Sequence, residues 1–333
     1  MKLDDIVIVN EAEIKRFMKL DLDVVSQVEQ GFAELSRGNA TVPPIMMLPV
    51  PEKHGEVDIK SAFIKGLPSM AVKIASGFFQ NPDIGLPSQS GQMVVVSAET
   101  GFLQGVLFDN GYLTQVRTAA AGAIAARYLA REEITTAGVV GCGVQARFQM
   151  EALFLVRPFD KILMYSIDPP EREQRFIEEM ELKLGVAVER MPSCEAVVRG
   201  SDVVVTTTPA RGGYVDPDWL HPGLHITSMG SDAEGKQELM PGVLGRADLL
   251  VCDLKSQCFR LGELRGGLDA GVITKESPVT ELGEISLGIR PGRSSDEQVT
   301  VCDLTGVGVQ DTMIALAAYN IAVEQGIGLR IER

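Results

Sequence analysis

A short apolar segment that ends in a glycine-rich turn, AGVVGCGVQA at residues 137–146, constrains the fold of this chain most. The segment is typical of a buried strand, a tight turn and the start of a helix, in that order. Gly141 permits the sharp turn, Gly143 lets the backbone approach a pyrophosphate, and Ala146 is a small residue where the helix meets the sheet. Free N–H groups at the helix start favour an anion. We therefore expect a dinucleotide-binding turn here, and a simple tight turn is the alternative.

Beyond this turn, apolar segments of strand length alternate with segments of helical periodicity. We expect helices at 145–156 and 170–184 and strands at 137–140, 161–166, 203–206, 225–228, 249–251 and 299–302. Buried strands that alternate with helices form a parallel sheet that is covered on both faces. The predicted fold class is α/β, with a doubly wound Rossmann sheet.

The residues before 118 follow a different pattern of helical and strand-like segments. Asn10 and Asp21 are candidate caps for helical segments within 10–38. The short segments that follow are bounded by Gly, Pro and Asn and predict a mostly antiparallel sheet with strands at 57–64, 71–75, 93–96 and 106–108. An alanine-rich helix at 114–129 and a final helix at 309–324 complete the pattern. A chain of 333 residues, 45% of them apolar, has enough core for two domains.

Composition excludes several classes of function. A net charge of −14 makes nucleic acid a poor partner, because phosphate binding needs a cationic surface. The five cysteines and three histidines show neither disulfide nor metal spacing, so we expect no metal site. The chain begins with polar residues and has no apolar run long enough to span a bilayer, so we expect a cytoplasmic protein without membrane contact.

Asp168 follows the second predicted strand of the Rossmann sheet. A carboxylate there accepts the ribose hydroxyls and repels a 2′-phosphate, which favours NAD as cofactor and leaves NADP possible because Arg172 lies nearby. The alternative for Asp168 is a helix N-cap before Pro169. Other candidate contacts to the cofactor, some of which are equally explained as strand ends and turns, are Gly141, Gly143, Val144, Gln145, Ala146, Thr206, Thr207, Thr208, Met229, Gly230 and Gly306.

Several further motifs accompany the glycine turn over nearly the whole chain. They are Val72-Lys73, Gly85-Leu86-Pro87, Glu99-Thr100-Gly101, LTxxRTAA at 113–120, MGSDxxGKxEL at 229–239 and TGxGxQD at 305–311. In this order and spacing the chain resembles the ornithine cyclodeaminase/mu-crystallin family, and within it the members linked to ectoine utilisation. The resemblance implies that the Rossmann domain, 119–302, is inserted into an α+β substrate-binding and dimerisation domain formed by 1–118 and 303–333. It also implies a homodimer.

Three cationic residues are candidates for binding a substrate carboxylate. The guanidinium of Arg117 matches a carboxylate bidentately, and the resemblance implies this role for it. Lys73 lies in an apolar segment and must either reach solvent or meet a partner; the resemblance implies that it holds the carboxylate and influences proton transfer. Lys60 is the third candidate. The alternatives are a solvated Arg117, a structural Lys73 and a Lys60 on the wet face of the sheet.

Asp232 follows the predicted strand at 225–228, at the sheet edge where doubly wound folds bind their ligands. A partly desolvated aspartate can act as a general base toward an ammonium or amine, and the resemblance implies this role. The alternative is an Asx turn. Gln310 and Asp311 are weaker candidates, with capping of the last helix as the alternative.

The resemblance implies nicotinamide-dependent hydride exchange at the carbon that bears nitrogen in a small amino or imino acid. One departure bears on the substrate: many members carry an arginine near residue 45, where this chain has Ile45-Met46-Met47. We therefore favour imine reduction or amino acid dehydrogenation over redox-neutral cyclodeamination with loss of ammonia. A ligand carrier of the mu-crystallin type, which needs no proton-handling carboxylate, is the alternative of another class.

Overall fold

A computed structural model describes residues 5–332, which form two compact units. Unit 1 consists of the residues up to Arg117 and those from Val307 onward, and unit 2 is Thr118–Gly306. The second boundary falls slightly later than the 302/303 position expected from the sequence. The reason is that the N–H groups of Thr305 and Gly306 donate to Asp253 of unit 2, at 2.8 and 2.7 Å.

The helices and strands are numbered in chain order. The strands are β1 Ile6–Asn10, β2 Ala40–Thr41, β3 Met46–Val50, β4 Gly55–Ile64, β5 Ser69–Phe78, β6 Gln89–Ser97, β7 Leu103–Phe108, β8 Thr136–Val140, β9 Lys161–Tyr165, β10 Ala187–Arg190, β11 Val203–Thr206, β12 Arg211–Val215, β13 His225–Ser228, β14 Gln237–Leu239, β15 Leu249–Cys252, β16 Val279–Glu281, β17 Thr300–Asp303 and β18 Leu329–Ile331. The α-helices are α1 Glu11–Phe17, α2 Leu22–Ser36, α3 Tyr112–Leu129, α4 Val144–Val156, α5 Pro170–Leu184, α6 Cys194–Gly200, α7 Pro241–Arg246, α8 Lys255–Leu261, α9 Glu263–Asp269, α10 Leu282–Ser286 and α11 Gly308–Gln325.

Unit 1 is built on a mixed sheet with the strand order β18-β1-β7-β6-β5-β4-β2, in which β3 also pairs with β4. Strands β4 to β7 are antiparallel neighbours, as the sequence predicted, and β1 adds in parallel to β7. Helices α2 and α11 pack against each other, and α11 covers β4 and β5. Strands β1, β2, β3 and β18 were not predicted, because they are short, and β1 and β3 also begin beside polar or proline-rich residues.

The caps predicted for the first two helices are confirmed. Asn10 accepts a hydrogen bond from the N–H of Glu13, whose side chain accepts from the N–H of Asn10 in return. Asp21 caps α2 by accepting from the N–H of Val24 at 2.9 Å. Each cap satisfies donors that the first turn of a helix leaves without an intrahelical partner.

Helix α11 begins in direct contact with the backbone of β4. A Cβ on Gly308 would lie 2.5 Å from the carbonyl carbon of Ser61, so only glycine fits here. One turn later, the hydroxyl of Thr312 donates to the carbonyl oxygen of Ala62 at 2.9 Å. This close approach fixes the first turn of α11, which carries Asp311, against the strand that carries Lys60.

Unit 2 contains a parallel sheet with the order β10-β9-β8-β11-β13-β17-β15-β16, and helices connect most of its strands. Strands β8, β11 and β13 are buried along their whole length, as expected for a sheet covered on both faces. The predicted α/β Rossmann fold is confirmed. A small sheet of β12 and β14, the strands β10 and β16 and the short helices α6 to α10 were not predicted, since segments this short carry little periodicity.

No helix among residues 5–332 is long and apolar enough to cross a membrane.

We predict that Gly308→Ala destabilises the protein by about 1–3 kcal/mol, because its Cβ forces the start of α11 away from rigid backbone. Thermal or urea unfolding measures this. Gly212→Ala is the matched control, since no atom lies within 4 Å of a Cβ at that position. Equal stability of the two variants would contradict the prediction.

Candidate functional site

The predicted site residues fall into two groups, one in each unit. In unit 1, Lys60 on β4 and Lys73 on β5 are direct cross-strand partners. Both are buried, with 6% and 2% of their surface exposed. Like charges that face each other across two strands destabilise a sheet unless an anion compensates them. Because Lys60 is buried, the alternative that it lies on a solvent-exposed face of the sheet is wrong.

Asp311 supplies the compensating charge. Its Oδ1 lies 3.1 Å from the Nζ of Lys73 and 3.0 Å from the Nε of Arg117, which reaches it from α3. Asp311 is completely buried, so its role goes beyond the helix cap weighed from the sequence. Its neighbour Gln310 does cap α11, since its Oε1 accepts from the N–H of Val307 at 2.7 Å.

The pKa values within this cluster of Lys60, Lys73, Arg117 and Asp311 follow from burial and from one another. Burial is the main cause that lowers the pKa of Lys73 to about 7; the positive charges of Arg117 and Lys60 contribute in the same direction, and Asp311 opposes the shift. Burial alone would raise the pKa of Asp311, but Arg117, Lys73 and Lys60 together hold it below its usual range. Lys73 can therefore exchange a proton near neutral pH, and the buried cations of the cluster can attract an anion.

In unit 2, the glycine turn has the geometry of an anion cradle. Gly141 has φ +103°, and a Cβ there would lie 2.7 Å from the Oγ1 of Thr207. Gly143 is the N-cap of α4 and provides no side-chain cap for its N–H groups. No atom lies within 4 Å of a Cβ built on Gly143, so the turn is open on that side. These features fit a dinucleotide pyrophosphate.

The three residues after Gly143 differ in their exposure to solvent. Val144 is about half exposed, Gln145 is partly buried, and Ala146 is fully buried. Ala146 thus occupies the contact between helix and sheet where the glycine fingerprint requires a small residue.

Asp168 is oriented by its neighbours at the end of β9. Its Oδ2 accepts from the hydroxyl of Ser166 at 2.8 Å and from the thiol of Cys142 at 3.2 Å, and Arg172 lies 3.2 Å from Oδ1. Burial raises its pKa, but these hydrogen bonds outweigh burial and hold the carboxyl below its usual pKa range. Asp168 does not cap α5, whose N-cap is Pro169, so the capping alternative is wrong.

The ends of β11 and β13 bring the next candidates together around Glu238, a residue that the sequence analysis quoted in a motif but gave no role. Thr206 is fully buried and donates its hydroxyl to Glu238 at 2.7 Å. Thr208 donates both its N–H and its hydroxyl to the same carboxylate, and so does the N–H of Gly230. Thr207 bonds instead to the carbonyl of Val140 at 3.1 Å.

Asp232 lies three residues beyond Met229 and keeps about half of its side-chain surface exposed. The Nζ of Lys236, itself buried, is 2.8 Å from its Oδ1. This ion pair spans the loop and was not foreseen, although Lys236 belongs to the same sequence motif. Asp232 thus offers an accessible, oriented carboxylate next to a fixed cation.

Among residues 5–332, no three His, Cys, Asp or Glu side chains are grouped so as to hold a metal ion.

A model of the ornithine cyclodeaminase/mu-crystallin family matches residues 4–326. The chain belongs to this family.

Two curated relatives resemble the chain over their whole length. The uncharacterized cyclodeaminase y4tK of Sinorhizobium fredii is 45% identical, with 98% of both chains covered. An alanine dehydrogenase of Archaeoglobus fulgidus is 35% identical, again with 98% of both covered.

Solved structures of this family superimpose closely on the fold. The Δ1-pyrroline-2-carboxylate reductase of Thermococcus litoralis, in complex with NADH and L-proline, has a TM-score of 0.92 at 30% identity and covers 98% of this chain and 100% of its own. An archaeal alanine dehydrogenase dimer with bound NAD has a TM-score of 0.90 at 34% identity and covers 98% and 99%.

The depressed pKa of Lys73 predicts a pH dependence of stability. Its pKa is about 7 in the folded chain against an ordinary value of 10.5, so unfolding takes up a proton between these values. The free energy of unfolding therefore rises with pH across this window. Relative to Lys73→Met, we expect wild-type stability to rise by up to about 1.4 kcal/mol per pH unit from about pH 7.5 to about 9.5.

Urea unfolding at each pH measures this difference. Lys65→Met serves as the control, because Lys65 is exposed on the same unit. Parallel stability curves for wild type and Lys73→Met would show that the burial of Lys73 does not control its protonation.

Proposed function

We propose that the chain is an NAD(H)-dependent oxidoreductase that acts on the C–N bond of a small amino or imino acid, mainly as an imino acid reductase. The observation that carries the proposal is the cluster of Lys60, Lys73 and Arg117 around Asp311. Buried cationic side chains such as those of Arg117 and Lys73 suit the carboxylate that every amino and imino acid has.

The cofactor fits unit 2. Gly141, Gly143 and the start of α4 would hold the pyrophosphate, and Asp168 would accept the adenosine ribose hydroxyls, which favours NAD over NADP. Bound NAD and NADH in two related structures support this assignment. The nicotinamide, when bound, supplies the two-electron exchange with the carbon of the C–N bond.

The chain's own residues handle charge and protons. Arg117 binds the substrate carboxylate bidentately, with Lys60 and Lys73 adding positive charge. An imine is reduced more readily when its nitrogen carries a proton, and the product amine must also be protonated. Asp232 serves as the acid–base group toward this nitrogen. Lys73, with a pKa of about 7, can take up or release a proton beside the substrate carboxylate.

Cyclodeamination is the second candidate, because y4tK carries the name of a cyclodeaminase. The apolar segment Ile45-Met46-Met47 weighs against it, because many family members have an arginine there that gives the substrate carboxylate a second cation. The enzyme names of the reductase and dehydrogenase relatives weigh against the ligand-carrier alternative.

We further propose a cytoplasmic homodimer. The dimeric archaeal alanine dehydrogenase supports the assembly, as do apolar side chains exposed on the strands of unit 1, including Met46, Leu48, Phe63 and Phe108. All five cysteines are free and buried, which is typical of a reducing compartment.

The deciding experiment follows the absorbance of the reduced nicotinamide while NADH or NADPH is offered with cyclic imino acids, or with oxo acids plus ammonia. We expect stoichiometric oxidation of NADH, with NADPH the poorer donor. In parallel, L-ornithine and L-2,4-diaminobutyrate are assayed for ammonia release with catalytic NAD. Ammonia release without net oxidation of cofactor would replace the reductase proposal by cyclodeamination.

A second prediction tests the cofactor site. Gly143→Ala adds a methyl group where no protein atom lies within 4 Å, so we expect unchanged stability. The methyl group enters the space of the pyrophosphate, and the dissociation constant of NADH should rise about tenfold or more, equivalent to about 1.4 kcal/mol. Fluorescence titration measures it, with Gly212→Ala as the control. Unchanged affinity in Gly143→Ala would move the cofactor away from this turn.

A further inference from the structure

Glu238 lies at the centre of a buried hydrogen-bond network in unit 2. It is fully buried on β14, and its two carboxylate oxygens accept from segments that are far apart in sequence. From the end of β11 come the hydroxyl of Thr206 at 2.7 Å and the N–H and hydroxyl of Thr208 at 2.6 and 2.8 Å. From the end of β13 come the hydroxyl of Ser228 at 3.1 Å and the N–H of Gly230 at 2.7 Å. Tyr214 on β12 donates at 2.9 Å.

This set of donors suits a carboxylate rather than a carboxylic acid. Two of them are backbone N–H groups, which cannot reverse and act as acceptors. Burial, together with the nearby Glu238 charge, raises the pKa of the Tyr214 hydroxyl, so Tyr214 keeps its proton and donates. A buried carboxylate that is stabilised by hydrogen bonds holds its donors in place, because the loss of any one of these bonds leaves a buried polar group unsatisfied.

A second carboxylate fixes the same segment from the other side. Glu263 on α9, also fully buried, accepts from the N–H groups of Glu238 and Leu239 at 2.8 and 3.1 Å. It also accepts from the hydroxyl of Ser231, which directly precedes Asp232, and shares the single hydroxyl proton of Ser228 with Glu238. The loop between β13 and β14 is therefore held at both ends by the Glu238–Glu263 pair.

Packing makes this arrangement rigid. A Cβ on Gly230 would overlap the carbonyl oxygen of Thr208 and lie 2.5 Å from the Cδ of Glu238. The segments that follow β11 and β13 thus touch at backbone distance beside the carboxylate, and neither can shift without breaking its hydrogen bonds.

We infer that Glu238 and Glu263 are positioning residues that fix the Gly230-Ser231-Asp232 segment and thereby orient the Asp232 carboxylate. Neither touches the reactants, and their effect on turnover runs through Asp232. The inference rests on the proposed function for its kinetic part, whereas its structural part concerns the loop alone.

The structural part is tested by hydrogen exchange of peptides that cover 229–239. Glu238→Gln replaces one accepting oxygen by an NH₂ group that faces donors, so we expect faster exchange in this segment. Glu234→Gln makes the same chemical change on an exposed residue of the same loop and should leave exchange unchanged. Equal exchange in Glu238→Gln and wild type overturns the inference, whether or not the chain has reductase activity.

The kinetic part is tested by a double-mutant cycle with Asp232→Asn. We expect Glu238→Gln to lower kcat about tenfold or more through misplacement of Asp232, and to have little further effect in the Asp232→Asn enzyme. An equal fold loss in both backgrounds overturns the coupling to Asp232.

If Glu238→Gln folds poorly, the milder Glu263→Gln, which keeps the Glu238 carboxylate, is carried through the same cycle and exchange measurement. Absence of turnover in wild type would count against the proposed function, and the exchange result would still decide the positioning role.

Discussion

The contact of Asp311 with Lys73 and Arg117 is the interaction on which the site of unit 1 depends. Three cationic side chains are buried around it, and removing one partner of a buried ion pair costs about 3–5 kcal/mol because an uncompensated charge remains. The carboxylate reaches them because Gly308 lets α11 start against the backbone of β4. Buried cations cost free energy on folding, and we propose that they attract the carboxylate of the ligand.

Unit 2 stabilises its buried charge in a different way. Glu238 has no cation among the partners described above; hydroxyl and N–H donors surround it instead. Neutral donors fix direction as well as charge, because each hydrogen bond weakens steeply with misalignment. We therefore propose that the cations of unit 1 attract an anionic ligand, whereas the neutral donors around Glu238 hold loops in place.

The sequence was sufficient for features that depend on local pattern. The glycine turn, the buried strand runs and the caps Asn10 and Asp21 need only neighbouring residues, and all lie where predicted. The pairing of Lys60 with Lys73 depends on strand register, and the contact of Arg117 with Asp311 joins residues far apart in the chain. The sequence did not indicate that Glu238 is buried, because the donors to its carboxylate come from three separate segments, the ends of β11 and β13 and strand β12. These contacts were not predicted because they depend on long-range geometry, which the spacing of residues in the sequence does not encode.

Burial sorts the ionisable groups of both units into two kinds. Asp311 and Asp168 have lowered pKa values, since cations or donors outweigh burial, and they are fixed charges at neutral pH. Lys73 and Glu263 have values near 7, because burial dominates and the neighbouring like charges add to it. A reaction at a C–N bond needs both kinds: fixed charges set where the substrate lies, and a group that titrates near neutrality exchanges a proton. We propose that a bound carboxylate raises the pKa of Lys73, so that this lysine keeps its proton beside the carboxylate while Asp232 exchanges the proton with the nitrogen.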